Sequence, residues 1–280
     1  MRIARIASPQ GPRLALIDPA TSTWRRLALA GDGRWPGSDR LDEAAGSAAQ
    51  AEPVDESKLL APVLPQTLVG VGLNYRAHAA EQGRALPEEP RIFLKNTRSI
   101  AAPFGTLPLH PGSRQLDYEA ELGIVIGRDI FDPTMADAQA AIAGWVIVQD
   151  FTLRDLVRSE TLPLAKGGPA MAPLGPWVTR VAELSVTEAR ELTVRCWING
   201  ELRQEASTAD MHFGPVELVH YIARYLPLGA GDVIATGSPG GSGVGLSPPQ
   251  WLRPGDVVET EITGLGLLRQ HVVATRHPDA

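Results

Sequence analysis

Three acidic residues offer the first chemistry in this sequence. In Asp117-Tyr118-Glu119-Ala120-Glu121-Leu122-Gly123 the glutamates stand two apart in an expected strand, so both side chains leave one face, with backbones roughly 6 to 7 Å apart. Two anions so placed repel, and a hard divalent cation at about 2.0 to 2.6 Å from each oxygen would turn that repulsion into binding. Asp150 is the expected third ligand, because it closes the apolar run Gly144-Trp145-Val146-Ile147-Val148, where an unpaired carboxylate is costly. Three carboxylates suit Mg²⁺ or Mn²⁺, with water and substrate completing the shell. Zinc does not fit, since no His or Cys pair has its ligand spacing. Spacing alone fits equally well a solvated strand edge at Glu119 and Glu121, with Asp150 capping a helix that begins near Thr152.

A second constellation is Asn74-Tyr75-Arg76-Ala77-His78-Ala79-Ala80-Glu81, where His78 and Glu81 share one face if the segment is helical. A carboxylate beside an imidazole fixes its tautomer and raises its basicity, as a general base requires; a plain surface contact has the same spacing. Lysine is scarce, confined to Lys58, Lys95 and Lys166. Lys166 precedes Gly167-Gly168, which suits a loop reaching toward an anion and equally a solvated surface. Thr236-Gly237-Ser238-Pro239-Gly240-Gly241-Ser242-Gly243-Val244-Gly245 offers backbone N–H groups to an anion but lacks the Lys and Ser/Thr of a P-loop, so nucleotide binding there is rejected. Cys196 has no second thiol to pair with and reads as a small buried filler.

These groups must be held by a mostly β scaffold. Apolar, β-branched runs closed by Gly or Pro predict strands over Thr67–Leu73, Leu122–Ile126, Trp145–Val148, Leu192–Ile198, Val233–Thr236, Val257–Ile262 and Leu267–Ala274. Asn199-Gly200 predicts a type I′ hairpin turn. Helices are expected over Asp132–Ile142, Leu153–Glu160 and Pro215–Tyr225. Residues 1 to about 30 alternate polar and apolar, predicting a small β unit around the turn Pro9-Gln10-Gly11-Pro12, and Gly31–Pro65 reads as a short helix and linker. The domain expectation is therefore a small N-terminal domain and linker over 1–65, then a catalytic domain over 66–280. A β-rich α+β fold follows, without the βαβ alternation of nucleotide-binding folds.

With 280 residues, 44% hydrophobic and 21% charged, the chain can bury a large core. A formal charge of −6 and the lack of a basic cluster interleaved with aromatics argue against a nucleic-acid partner. No apolar run approaches the ~20 residues of a membrane span, and the first residues lack a signal-peptide core, so the expectation is a cytoplasmic protein with a small-molecule substrate.

The ordered set Gly70-Val71-Gly72-Leu73-Asn74-Tyr75 with His78 and Glu81, Phe93-Leu94-Lys95, Asp117 to Leu122, Gln149-Asp150-Phe151-Thr152-Leu153-Arg154-Asp155, Lys166, Asn199-Gly200-Glu201, Gly231-Asp232-Val233-Ile234-Ala235-Thr236-Gly237 and Pro254-Gly255-Asp256-Val257-Val258 resembles the fumarylacetoacetate hydrolase family. The resemblance implies a mixed β-sandwich roll, usually a homodimer, with Mg²⁺ or Mn²⁺ on Glu119, Glu121 and Asp150. It implies a metal-dependent hydrolase or lyase that cleaves C–C bonds in a small dicarbonyl or decarboxylates a 2-oxo acid. The alternatives are an isomerase, dehydratase or tautomerase, and a non-catalytic metal-binding homologue. His78, Glu81 and Lys166 would be catalytic, with Lys166 and Arg154 stabilising an oxyanion or binding a carboxylate. Tyr75, Lys95, Arg154, Val157, Thr236 and Gly237 would face the substrate.

Three departures from the family pattern fall on the substrate side. Val157 stands where the family often has Gln, Pro169 closes Lys166-Gly167-Gly168-Pro169 where it often has Asp, and the glycine-rich loop is slightly longer through Gly240 to Ser242. A valine cannot donate a hydrogen bond, and a longer loop has more freedom over the pocket.

Overall fold

The apolar runs around the acidic motif form the middle of a twelve-stranded sheet. In the computed structural model, which describes residues 1–29, 35–45, 50–158 and 161–275, every residue of the strands Ala120–Ile126 and Ile142–Gln149 is buried. Strands covered on both faces are expected to be continuously apolar, as these are. Ala120–Ile126 lies antiparallel between Ile142–Gln149 and Val233–Ala235. Val233–Ala235 runs parallel to Leu68–Gly72, which pairs antiparallel with Arg91–Lys95. On the other side Ile142–Gln149 pairs with Ala172–Arg180, and that strand carries Arg2–Ile6. The N-terminal meander Arg2–Ile6, Arg13–Asp18 and Thr23–Arg26 is thus continuous with the sheet.

A five-stranded sheet, ordered Glu201–Ser207, Thr193–Ile198, Val257–Ile262, Gly266–Ala274 and Phe104–Leu109, supplies the second layer. Alternation along Thr193–Ile198 and Val257–Ile262 buries Val194, Cys196, Ile198, Val258 and Ile262 in one core with Leu122, Ile124, Trp145 and Ile147 of the large sheet. The fold is the β-rich mixed sandwich expected. Asn199 and Gly200 turn the hairpin with φ of 54° and 80°, the positive pair that a type I′ turn demands. Helices form at Met135–Ala141, which carries a capping box from Thr134 and Asp137, and at Pro215–Ala223.

The expected helix over Leu153–Glu160 does not form. Thr152–Leu153 pairs instead with Leu116–Asp117, Arg154–Leu156 makes one 3₁₀ turn, and Ser159 and Glu160 lie outside the described residues. The competing force is the Arg154 side chain, which turns inward to two carboxylates while its N–H donates to the Gln115 carbonyl at 2.8 Å. Within Gly31–Pro65 the expected short helix is Ser38–Ala45, and short strands at Glu52–Pro53 and Leu59–Leu60 join it; residues 31–34 and 46–49 lie outside the described residues.

Candidate metal centre and active site

Sheet register gathers the three carboxylates. Ala120 faces Gln149 and Glu121 faces Val148, so Asp150, one step past its strand, arrives beside Glu119. Glu119 itself lies in the link between Leu116–Asp117 and Ala120–Ile126 rather than inside the strand, as its spacing had suggested. Two bonds hold that link: the Asp150 N–H donates to the Glu119 carbonyl at 2.8 Å, and the Glu119 N–H donates to Gln149 Oε1 at 2.8 Å. Oxygens of Glu119, Glu121 and Asp150 then lie within 4.8 Å of one another, all buried. That burial removes the solvated-edge alternative, and Asp150 caps no helix.

Buried cations answer most of this charge. Lys166, closing the helix Leu162–Lys166, donates to Glu119 and to Asp150 at 2.6 Å each and to Thr152 Oγ1 at 2.8 Å, which engages all three ammonium hydrogens. Lys95 contacts Asp150 and donates to the Met171 carbonyl at 3.3 Å. Arg154 donates to Glu119 at 2.6 Å and to Asp117 at 2.7 Å. Burial alone would raise the Glu119 carboxyl, but Arg154 and Lys166 outweigh it and hold that group well below the usual range. Burial likewise opposes the Lys166 charge, and Asp150 and Glu119 overcome it. In Lys95 burial wins and pulls the ammonium below the ordinary lysine range despite Asp150.

Glu121 is the exception. It accepts the Gly237 N–H at 2.8 Å, and among the described residues no cation forms an ion pair with it. Burial, with the charges of Asp150 and Glu119, pushes its carboxyl well above the ordinary value. A buried carboxylate whose charge the nearby lysines do not offset, set beside two others, is what a hard divalent cation relieves, so the donor set fits Mg²⁺ or Mn²⁺.

The second wall is the six-residue helix Arg76–Glu81. His78 Nδ1 lies 3.0 Å from Glu81, and the Gln82 amide lies 2.9 Å from His78 Nε2, so both ring nitrogens have partners. The helix is tied down at its start, where the Ala77 N–H donates to Asp210 at 2.9 Å and Arg76 donates to the Met211 carbonyl at 2.6 Å. At its end Glu81 rests on the glycine-rich loop: the Gly241 N–H donates to its carboxylate at 3.1 Å, and a Cβ at Gly245 would come within 2.7 Å of it. That loop is pinned rather than free over the pocket. Asp117 accepts the N–H groups of Gly243 and Val244 at 2.7 and 3.2 Å, Tyr118 donates to the Gly241 carbonyl at 3.0 Å, and Gln204 donates to Ser238 and to the Pro239 carbonyl at 2.9 Å each.

Both walls line one cavity of about 280 Å³, which takes in the three carboxylates, His78, Arg154, Lys166 and Val157. Val157 is 41% exposed there. The other residues expected to face substrate do not line it. Tyr75 is fully buried and its hydroxyl has no hydrogen-bond partner among the described residues, Thr236 donates to the Leu122 carbonyl at 2.9 Å, the Gly237 N–H donates to Glu121, and Lys95 contacts Asp150. Gln82, Arg84 and Arg91 also line the cavity and were not anticipated. Gln82 was findable, four residues after His78 on one helical face. A larger cavity of about 460 Å³ beside Trp177 and Phe104 shares no lining residue with this one.

The family description "Fumarylacetoacetate (FAA) hydrolase C-terminal" matches residues 67–273, a span that contains both walls. The chain belongs to the fumarylacetoacetate hydrolase family. Within that family it is 37% identical over 225 residues to the mitochondrial oxaloacetate tautomerase FAHD2B of Bos taurus, covering 79% of this chain and 71% of that protein. It is 36% identical over 225 residues to the oxaloacetate tautomerase YisK of Bacillus subtilis, covering 78% and 74%. The solved fumarylacetoacetate hydrolase of Exiguobacterium antarcticum is similar in fold, with a TM-score of 0.86 at 32% identity over 98% of this chain and 100% of that one. Among the described residues no helix is long and apolar enough to cross a membrane. Val157 lies at the cavity itself, whereas Gly241 in the glycine-rich loop lies against Glu81.

Proposed function

We propose that this chain is a divalent-metal-dependent enzyme that moves a proton between carbon and oxygen of a small 2-oxo acid, a keto–enol tautomerase. The observation that carries this reading is the facing of two walls across one small cavity, an acidic oxygen trio on one side and a His78–Glu81 pair on the other. Relatives named oxaloacetate tautomerase support it. Glu119, Glu121 and Asp150 would hold Mg²⁺ or Mn²⁺, which when bound supplies Lewis-acid stabilisation of charge developing on a carbonyl oxygen.

The rest falls to the chain's own side chains. Glu81 accepts from His78 Nδ1–H and so leaves the lone pair on Nε2. The Gln82 amide sits 2.9 Å from that nitrogen, so a substrate C–H bond has to take its place. His78 Nε2 then takes a proton from the carbon next to the ketone, the C–H electron pair becomes the C=C bond, the carbonyl π pair moves onto oxygen, and the proton held on His78 is delivered to that oxygen, which returns the imidazole to neutral with no atom gained or lost. Arg154 has guanidinium hydrogens left after binding Asp117 and Glu119, and these suit the substrate carboxylate. Lys166 holds Glu119 and Asp150 in register.

C–C hydrolysis or decarboxylation, the first expectation from sequence, ranks second; its support is the solved hydrolase in the same family. Val157 weighs against it, because an acyl-transfer oxyanion in this cavity would lack a donor at that position. The surviving His78–Glu81 pair weighs against a non-catalytic homologue. The deciding assay uses purified protein with Mg²⁺ or Mn²⁺. Disappearance of the oxaloacetate enol should outpace both decarboxylation of oxaloacetate and hydrolysis of acylpyruvates. Acylpyruvate hydrolysis with kcat/KM above about 10⁴ M⁻¹s⁻¹ and no enol turnover would overturn the reading.

A further inference from the structure

We propose that Arg84 and Arg91 set the specificity of this cavity by holding the distal carboxylate of a dicarboxylic 2-oxo acid, the class to which the substrate named for the oxaloacetate tautomerases belongs. This rests on the proton-transfer reading above and extends it to the residues that read the far end of the substrate. Four carboxylates cluster at the inner end of the active-site region, Asp117, Glu119, Glu121 and Asp150, and every cation there contacts at least one of them: Lys95, Lys166 and Arg154 are all committed. Arg84 and Arg91 line the same cavity, yet among the described residues neither makes an ion pair or a side-chain hydrogen bond.

Their placement is set by local structure. After Glu81 the helix closes with the Gly83 N–H donating to the Ala80 carbonyl at 3.0 Å and the Arg84 N–H donating to the Ala79 carbonyl at 2.9 Å. Arg84 is therefore carried by the element that carries His78 and Gln82. Arg91 opens the strand Arg91–Lys95 opposite Gly72, which also lines the cavity and puts no side chain between them. Two uncommitted guanidiniums thus stand at the exposed side of a cavity whose inner side holds the metal-type ligands. Guanidinium forks match carboxylates in shape as well as charge. A monocarboxylic 2-oxo acid would use its one carboxylate at the inner end and leave both arginines idle. A dicarboxylic one spans both ends, and the modest volume of about 280 Å³ selects a short chain.

The test is calorimetric binding to the full chain with Mg²⁺ or Mn²⁺, using pairs of stable acids that differ in the distal carboxylate: malate against 2-hydroxybutanoate, and 2-oxoglutarate against 2-oxopentanoate. Wild type should bind the dicarboxylic member of at least one pair on the order of tenfold more tightly. The double variant Arg84→Gln, Arg91→Gln should bring that ratio close to one while leaving affinity for the monocarboxylic member unchanged, and Arg84→Lys with Arg91→Lys should recover part of it. Equal binding of both members by wild type, or full discrimination by the double glutamine variant, overturns the subsite and leaves the tautomerase reading standing. Binding of no acid by the metal-loaded wild type overturns both.

Discussion

The two walls of the cavity are built in opposite ways. The carboxylate floor hangs on strands paired on both sides, and its side chains are interlocked by Lys95, Lys166 and Arg154. The wall that carries His78 and Glu81 is a helix of six residues, fixed by a few hydrogen bonds to the segment around Asp210 and to the glycine-rich loop. Three carboxylates gathered in one buried site need a rigid cage, because each buried ion is costly unless its partners cannot drift. A base must meet a moving proton, and a short, locally tethered element suffices for that.

Substitutions can break this contrast. The largest effect is expected from Asp150→Ala, which should abolish metal-dependent turnover and metal-induced thermal stabilisation and, by stranding Lys95 and Lys166, lower metal-free stability by about 3–5 kcal/mol. Denaturant titration with and without Mg²⁺ checks this; an unchanged metal response would remove Asp150 from the ligand set. His78→Ala should lower kcat by about 10²- to 10⁴-fold yet leave the metal-induced rise in Tm at the wild-type value. Loss of that rise would show that the walls are not independent. Gly245→Ala should push the Glu81 carboxylate off its seat and cost about ten- to a hundredfold in kcat. Wild-type kinetics would mean that Glu81 does not orient the base.

The smallest effect concerns Glu121 and sharpens the comparison through pH. Its carboxyl is raised in the folded chain, so its contribution is fully present below the ordinary glutamate value, about 4.3, and is lost as pH rises through the raised value. In chelator, Glu121→Gln should melt at least about 2 °C above wild type at pH 8, a gap that closes toward pH 4, and the order should reverse when Mg²⁺ is added. A wild type that out-melts the variant in chelator at pH 8 would show that the floor is fully compensated without metal.

Much of this was legible in the residues. Glu119, Glu121 and Asp150 announced themselves because carboxylates flanking apolar runs need partners, and Asn199-Gly200 fixed its hairpin through its positive φ pair. What failed was governed by tertiary contacts. Leu153–Glu160 has helical periodicity, yet Arg154 gains two buried carboxylates by leaving it. Ala172–Arg180 carries Pro173 and Pro176, residues that weigh against a central strand, and yet it joins the N-terminal strands to the rest of the sheet. Arg84 and Arg91 carry no sequence signal at all; folding places them at one cavity.

The pairing of Ala120–Ile126 has a consequence in time. One neighbour, Ile142–Gln149, follows closely in the chain, whereas the other, Val233–Ala235, comes much later. At about 5–20 residues per second of synthesis, the first partner is made roughly four seconds or more before the second. Local closure is entropically cheap, so the acidic trio is gathered on the nascent chain while Val233 is still unmade. During that interval the middle strand of the finished sheet is an edge, and the unpaired backbone of Leu122–Ile126 is what a chaperone or a neighbouring nascent chain would meet.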